Sequence, residues 1–477
     1  MPSDHRHAAE HVNTPIARRR GHILIAAALG ATLNPLNSTM VAVALPAISR
    51  DFGAEASSVT LLVVTVYLIA TLVCQMPAGS IADRSGYPRA LTWGRWIFAA
   101  GAAAGAFAPT LSVVVVGRVL MAAGGALMVP TSMALVRVAI PVERRSRAFG
   151  TLGAVMGGAA AIGPALGGWI TPLFGWRWLF AINLPVLLAS WIIQGPVDEN
   201  ESRTLKVRAA DEESGQRAFD WAGSLLIGSA LVLLTMATRA HGRALYVIAS
   251  VGVATIVTLL VVERRVTAPV LDLDLFARPV FAAGAGVVAT QNLAMYSLLI
   301  MVPFLVGASA GSGVGLAIVA MTATMALMSP FGGWLAEHVG ARPVVFTGGL
   351  AGALGVFAIV RLGASAQPLD VGVRLLLVGL GLGLSTGPSQ AAGLTAVSAE
   401  KSGLASATLA MMRYVGSIAG TVILGFALAA GPDVAARHRA ALWIFAGAFL
   451  VSALFGLVLP SRAAAAQAQA GRGTAIA

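Results

Sequence analysis

Gly79-Ser80-Ile81-Ala82-Asp83-Arg84-Ser85-Gly86-Tyr87-Pro88-Arg89 is a charged turn set between two long apolar runs. A second copy follows as Gly333-Trp334-Leu335-Ala336-Glu337-His338-Val339-Gly340-Ala341-Arg342. Asp83 to Glu337 and Gly86 to Gly340 are both 254 residues. An acid and a glycine that return in register imply two related helical halves, each carrying one charged hinge at the same edge.

The rest of the chain fits a lipid setting. Hydrophobic residues make up 57% of it and charged ones 11%, with a mean hydropathy of +0.82. Soluble domains carry about 25% charged residues. The 54 glycines suit close approach between helices in lipid. The first residues are polar and end in Arg18-Arg19-Arg20, and the apolar run after them is long enough to span a membrane and to be kept. Cys74, the single cysteine, lies mid-span and can form no intrachain disulfide.

A bilayer takes about 20 apolar residues to cross. Fourteen such spans are expected, at 22–46, 57–79, 89–108, 110–136, 148–172, 178–196, 221–240, 244–262, 280–307, 312–335, 343–363, 371–396, 402–430 and 440–459. The fold class is therefore an all-α integral membrane protein with about 14 transmembrane helices. The first charged turn joins spans 2 and 3, and the second joins spans 10 and 11. That spacing divides the chain into an N-terminal tail (1–21), a six-helix bundle (22–196) and a linker of mixed charge (197–220). Two inserted helices (221–262), a loop (263–279), a second six-helix bundle (280–459) and a C-terminal tail (460–477) follow.

The net charge of +12 is a topology signal. With the N-terminus in the cytoplasm, 21 basic residues fall on the inner side and 8 on the outer. Both termini, the linker and the 263–279 loop are thus expected inside. This distribution weighs against a nucleic-acid partner. The preference for arginine over lysine reads as coding bias of a GC-rich bacterial genome, which places the chain in a bacterial inner membrane.

Polar groups inside a span are costly and mark function. Span 4 holds Arg118, which either snorkels to the membrane edge or needs a partner or a water-filled cavity, and span 13 holds Arg413, set deeper in its span. Arg95, near the inner end of span 3, reads as a structural anchor. Asn34 and Asn37 lie one turn apart on span 1, with Thr39 close by and Pro35 between them freeing a backbone carbonyl. Gln291 and Asn292 sit mid-span in span 9, and Gln390 in span 12. These amides either line a solute cavity or bond between helices. Gly163-Pro164-Ala165-Leu166-Gly167-Gly168 continues the small-residue face of Gly153, Gly157 and Gly158 on span 5, a surface for close packing or for rocking.

Deep carboxylates are missing from the spans, and the seven histidines lie in tails, loops or span edges. No His/Cys cluster calls for a metal, and no phosphate-loop motif calls for ATP. No cofactor is expected, and no enzymatic activity.

Together these stretches resemble the major facilitator superfamily. The 79–89 turn resembles its signature loop, Gly117-Arg118 its helix-4 motif and Gly163–Gly168 the helix-5 motif of its drug exporters. Leu36-Asn37-Ser38-Thr39, Gly175-Trp176-Arg177-Trp178-Leu179-Phe180 and Phe219-Asp220-Trp221-Ala222-Gly223 are similar to the fourteen-helix drug:proton antiporter family. The resemblance implies alternating access between two bundles. It implies gating at Gly79, Asp83, Arg84, Gly86, Arg89, Glu337 and Gly340, and coupling or substrate contact at Arg118. It implies a hinge and seal at Gly157, Gly163, Pro164, Gly167 and Gly168. The chain departs from the pattern at Asn37, where the family usually has Asp, and at Ala42, Met121, Ala122 and His338. An amide exchanges no proton near neutral pH, so an anionic solute fits Arg118 and Arg413 better here than in a typical exporter of cations.

The expected function is export of a hydrophobic or amphipathic small molecule, in exchange for protons, by a monomer in the bilayer. A proton-independent facilitator or importer of an organic anion is the alternative within transport, and a transport-inactive membrane receptor is the alternative outside it.

Overall fold

An apolar chain in lipid has no water to satisfy its peptide groups, so each crossing must close its own hydrogen bonds as a helix. The computed structural model describes residues 15–140, 142–195, 221–237, 240, 242–266, 273–306, 313–362, 367–397, 401–429 and 433–462, and they are predominantly helical. The predicted linker at 197–220 and most of both tails lie outside the described residues.

Among the described residues, ten helices are long and apolar enough to cross a membrane. They are Gly21–Phe52, Ala56–Gln75, Leu111–Val136, Arg243–Glu263, Pro279–Val306, Gly313–Val339, Ala341–Val360, Pro368–Thr395, Leu404–Leu428 and Ala435–Gly456. Further helices occupy the other predicted positions but do not reach that mark among the described residues. Tyr87–Ala106 and Val142–Phe174, at spans 3 and 5, lose hydropathy to arginine and glycine. Span 6 is a short pair, Trp178–Ala181 and Asn183–Gln194, and span 7 is the short helix Trp221–Ala237. The first helix starts earlier than its apolar run, at Pro15, and carries Arg18, Arg19 and Arg20 in its opening turns. Span 2 contains a wider π-helical turn, Thr60–Thr65.

The internal repeat is geometrical as well as sequential. Gly86 has φ +88° and Gly340 has φ +93°, a backbone that favours glycine. Gly86 N donates to Ala82 O and Gly340 N to Ala336 O, each at 2.9 Å. Each glycine therefore ends one helix and starts the next. Gly94 and Gly101 of span 3 return at the same offset as Gly348 and Gly355 of span 11. A Cβ on Gly101 would stand 2.5 Å from Gly117 O, and one on Gly355 would stand 2.9 Å from Val378 N. Spans 3 and 4 thus meet backbone to backbone, as do spans 11 and 12.

Two compact units result. The first gathers the helices within Met1–Ser38, Ala70–Ala160 and Arg177–Phe219. The second gathers Thr39–Ile69, Ala161–Trp176 and Asp220–Ala477. The C-terminal portions of spans 1 and 5 and the N-terminal portion of span 2 thus cluster with the second half of the chain. Sequence order alone puts them in the first bundle. The reason lies in contacts inside the second unit. Thr65 Oγ1 donates to Thr421 Oγ1 at 2.9 Å, and Thr322 Oγ1 donates to Ala161 O at 2.9 Å.

Candidate functional site

In the first unit Arg118 and Asn37 are both fully buried, at 0% exposure, and Arg118 Nη1 donates to Asn37 Oδ1. Arginine has no acceptor and stays charged, so the direction of this bond is fixed. Among the described residues, Asn37 Nδ2 is buried with no hydrogen-bond partner. An aspartate at this position would neutralise the guanidinium, whereas the amide leaves the pair with a full positive charge. Asn34, one turn inward, lies against Gly125. A Cβ there would stand 3.1 Å from the Asn34 side chain, so glycine makes room for the amide.

In the second unit, 254 residues beyond Asn37, stands Gln291. Its Nε2 donates to Ser452 Oγ at 2.9 Å and its Oε1 accepts from Thr386 Oγ1 at 3.2 Å, so it ties span 9 to spans 12 and 14. Asn292 Nδ2 donates within its own helix to Val288 O at 2.8 Å. Thr39 is buried at 4% exposure, and Gln390 is half-buried beside the buried Ser389. Arg413 is exposed, about 16 Å along its helix from Ser402 at ~1.5 Å per residue.

Gly167 and Gly168 of span 5 pack closely in this unit. A Cβ on Gly168 would stand 2.4 Å from Gly315 Cα, and a Cβ on Gly167 would stand 2.5 Å from Met40 O. Gly163 and Pro164 are buried, and Pro164 O stands 3.1 Å from the Cβ position of Gly315. A cavity of about 130 Å³ adjoins this contact, walled by Val43, Ala47, Thr171, Pro303 and Val314. Gly157, in the first unit, faces open space.

The charged turns are exposed at Asp83, Arg84, Arg89 and Glu337. Tyr87 Oη donates to Asp83 Oδ1 at 3.0 Å. Gly79 has nothing within 4 Å of its Cβ position. Gly340 has Arg462 N at 2.5 Å from its Cβ position, and Arg342 Nε donates to Leu459 O at 3.0 Å. The second turn is thereby clasped by the end of span 14.

Sequence reasoning passed over two features, the Thr65–Thr421 bond and Ser452. Thr65 and Thr421 gave no signal, being ordinary hydroxyls in apolar runs. Ser452 likewise became visible only as the partner of Gln291. Arg95, expected to anchor at the inner edge, is fully enclosed at 0% exposure. Among the described residues, no group of three or more His, Cys, Asp or Glu is placed to hold a metal.

A helical chain with membrane-grade crossings, an internal repeat and a buried arginine–amide pair is a multi-pass membrane protein. The Major Facilitator Superfamily profile matches residues 27–421, and the chain belongs to that family. It is a membrane transporter and not an enzyme. The uncharacterized MFS-type transporter YvkA of Bacillus subtilis is 31% identical, over 86% of this chain and 91% of that protein. The multidrug resistance protein Stp of Mycobacterium tuberculosis is 31% identical, over 85% and 75%. The xylose transporter XylE of E. coli, solved in a partially occluded inward-open state, shares the fold with a TM-score of 0.64. It is 15% identical and covers 93% of this chain and 98% of its own.

Proposed function

We propose that this protein exports an amphipathic small molecule with an anionic group across a bacterial inner membrane, by alternating access, through fourteen spans with both termini in the cytoplasm. The reading rests on one observation, the buried Arg118–Asn37 pair. It supplies a permanent positive charge inside the first unit where an aspartate would supply a proton carrier. Arg413 adds a second cation, exposed at mid-helix, where a charge belongs in an aqueous path and not in lipid. Protons enter the cycle with the solute itself, as its anionic group gains or loses one, or through edge groups such as Asp83. The relatives named for multidrug resistance support export, and the packing at Gly168 supports a seal that opens and closes. A single chain is the functional unit in this reading.

The second reading is a proton-independent facilitator or importer of an organic anion. It is favoured by the absence of a carboxylate at position 37. Reconstitution separates the two. Flux of a lipophilic anionic dye and of a lipophilic cationic dye is measured in proteoliposomes with and without an imposed pH gradient, for the parent, Asn37→Asp and Arg118→Ala. Export as proposed gives anion flux that the gradient drives, lost in Arg118→Ala. Gradient-independent anion flux in the parent that becomes gradient-driven in Asn37→Asp establishes the facilitator. Equal movement of the cation, undiminished in Arg118→Ala, refutes the anionic solute.

A further inference from the structure

We infer that the second unit holds a binding site for a small aromatic carboxylate, in the cavity walled by spans 1, 5, 9 and 10. This site is separate from the Arg118–Asn37 pair and does not depend on which solute is transported.

The cavity measures about 130 Å³. An apolar cavity of about 150 Å³ takes up a benzene ring, so the space here matches one six-membered ring. Pro46, Pro172 and Pro303, with Val43 and Val314, make most of its wall apolar. A buried water makes about three hydrogen bonds, and this wall offers water few partners. Moving a ring from water onto such a surface is favourable in proportion to the apolar area covered.

Two groups on the wall suit a carboxylate. Arg50 lines the cavity and is exposed. Its Nε donates to Pro46 O at 3.3 Å, which leaves Nη1 and Nη2 able to donate to an anion at the rim. That planar fork matches the two oxygens of a carboxylate. Thr171 also lines the cavity, and its Oγ1 has no hydrogen-bond partner among the described residues. Thr131, Thr235 and Thr324 instead donate to the carbonyl four residues back in their helices. Thr171 therefore keeps a hydroxyl for a partner that the cavity can admit. Asp51, next to Arg50 in the chain, accepts from Trp176 Nε1 at 3.1 Å and is not a wall residue. An ammonium ligand would meet the Arg50 charge with no wall carboxylate to offset it, so the anion is selected. Four spans contribute to the wall, so a bound carboxylate favours the packed arrangement of these span ends over any in which they separate.

The test titrates sodium benzoate against the purified full-length protein in detergent, read by saturation-transfer NMR with protein-free micelles as the blank. The expected result is saturable binding with a dissociation constant of about 1 mM, in the range for a fragment of this size. Benzylamine should bind more weakly. Arg50→Gln should weaken benzoate binding about tenfold, the loss expected of a charge-assisted bond at an open rim. Thr171→Val, which keeps the shape and removes the hydroxyl, should weaken it by a smaller factor. Ala47→Phe puts a ring into the cavity and should abolish it. Arg50 is exposed, so Arg50→Gln serves if the Phe variant fails to fold. Arg118→Ala should leave the affinity unchanged. No saturable binding in the parent overturns the site, as does benzylamine binding as tightly as benzoate. An affinity unaltered in Arg50→Gln, or lost in Arg118→Ala, overturns it as well.

Discussion

Replacing Gly168 by alanine adds one methyl where a neighbouring backbone leaves no room for it. The new Cβ would stand 2.4 Å from Gly315 Cα and 2.9 Å from Gly315 N, both backbone atoms with no rotamer to escape into. Ordinary contact begins at about 3.4 Å, so spans 5 and 10 must separate by about 1 Å at this level. Forcing extra volume into a packed interior costs typically ~1–3 kcal/mol, and each ~1.4 kcal/mol is a tenfold change in an equilibrium. Gly168→Ala is therefore expected to shift the outer ends of these spans toward their separated state by about five- to 150-fold. The assay is labelling of Met40→Cys by a membrane-impermeant thiol reagent applied from outside, in a Cys74→Ala background. Met40 is fully buried, and its carbonyl packs against Gly167 in the same contact. The control is Gly157→Ala, since nothing lies within 4 Å of that Cβ position. Faster labelling in Gly168→Ala alone supports a seal at this contact. An unchanged rate, or the same increase in both variants, refutes the reasoning.

Two further outcomes follow from the packing. Gly86→Ala and Gly340→Ala force a side chain onto positive φ, and each should destabilise the protein by about 1–3 kcal/mol. Gly340→Ala should be the worse of the two because Arg462 N stands 2.5 Å from its Cβ position, while Gly79→Ala should leave the unfolding midpoint unchanged. Gln291→Leu removes both interhelical bonds and should cost about 1 kcal/mol at ~0.6 kcal/mol per bond. Asn292→Leu breaks only a bond within its own helix and should cost less. Denaturant midpoints of the purified variants rank the pair, and an equal or reversed order would show that Gln291 is not the cross-brace the structure draws.

Much of the fold was readable in the order of residues because lipid imposes a strict local rule. A crossing must be a helix of sufficient apolar length, and Asp83, Gly86, Glu337 and Gly340 mark where two such helices turn. The repeat offset carried this further, since Gly86 and Gly340 prove to share one backbone conformation. Where arginine and glycine dilute the apolar runs, as at 87–106 and 142–174, hydropathy becomes a weaker guide than position. The candidate site was half legible. Arg118 and Asn37 announced themselves as polar residues in apolar surroundings, but their bond joins positions 81 residues apart. Gln291 and Arg413 looked alike as buried polar candidates. Packing committed the first to Ser452 and Thr386 and left the second exposed.

The sequence by itself determined that this chain lies in a membrane, that its halves repeat, and that position 37 offers an amide in place of an acid. Those properties belong to single residues and their spacing. Only the tertiary structure decided that residues 39–69 and 161–176 of spans 1, 2 and 5 cluster with the second half, and that Arg95 is sealed in without a hydrogen-bond partner among the described residues. Both depend on which helix faces meet. A helix displays glycines and arginines around its circumference, and the neighbour that packs against each face decides whether a glycine becomes a contact and an arginine a buried charge.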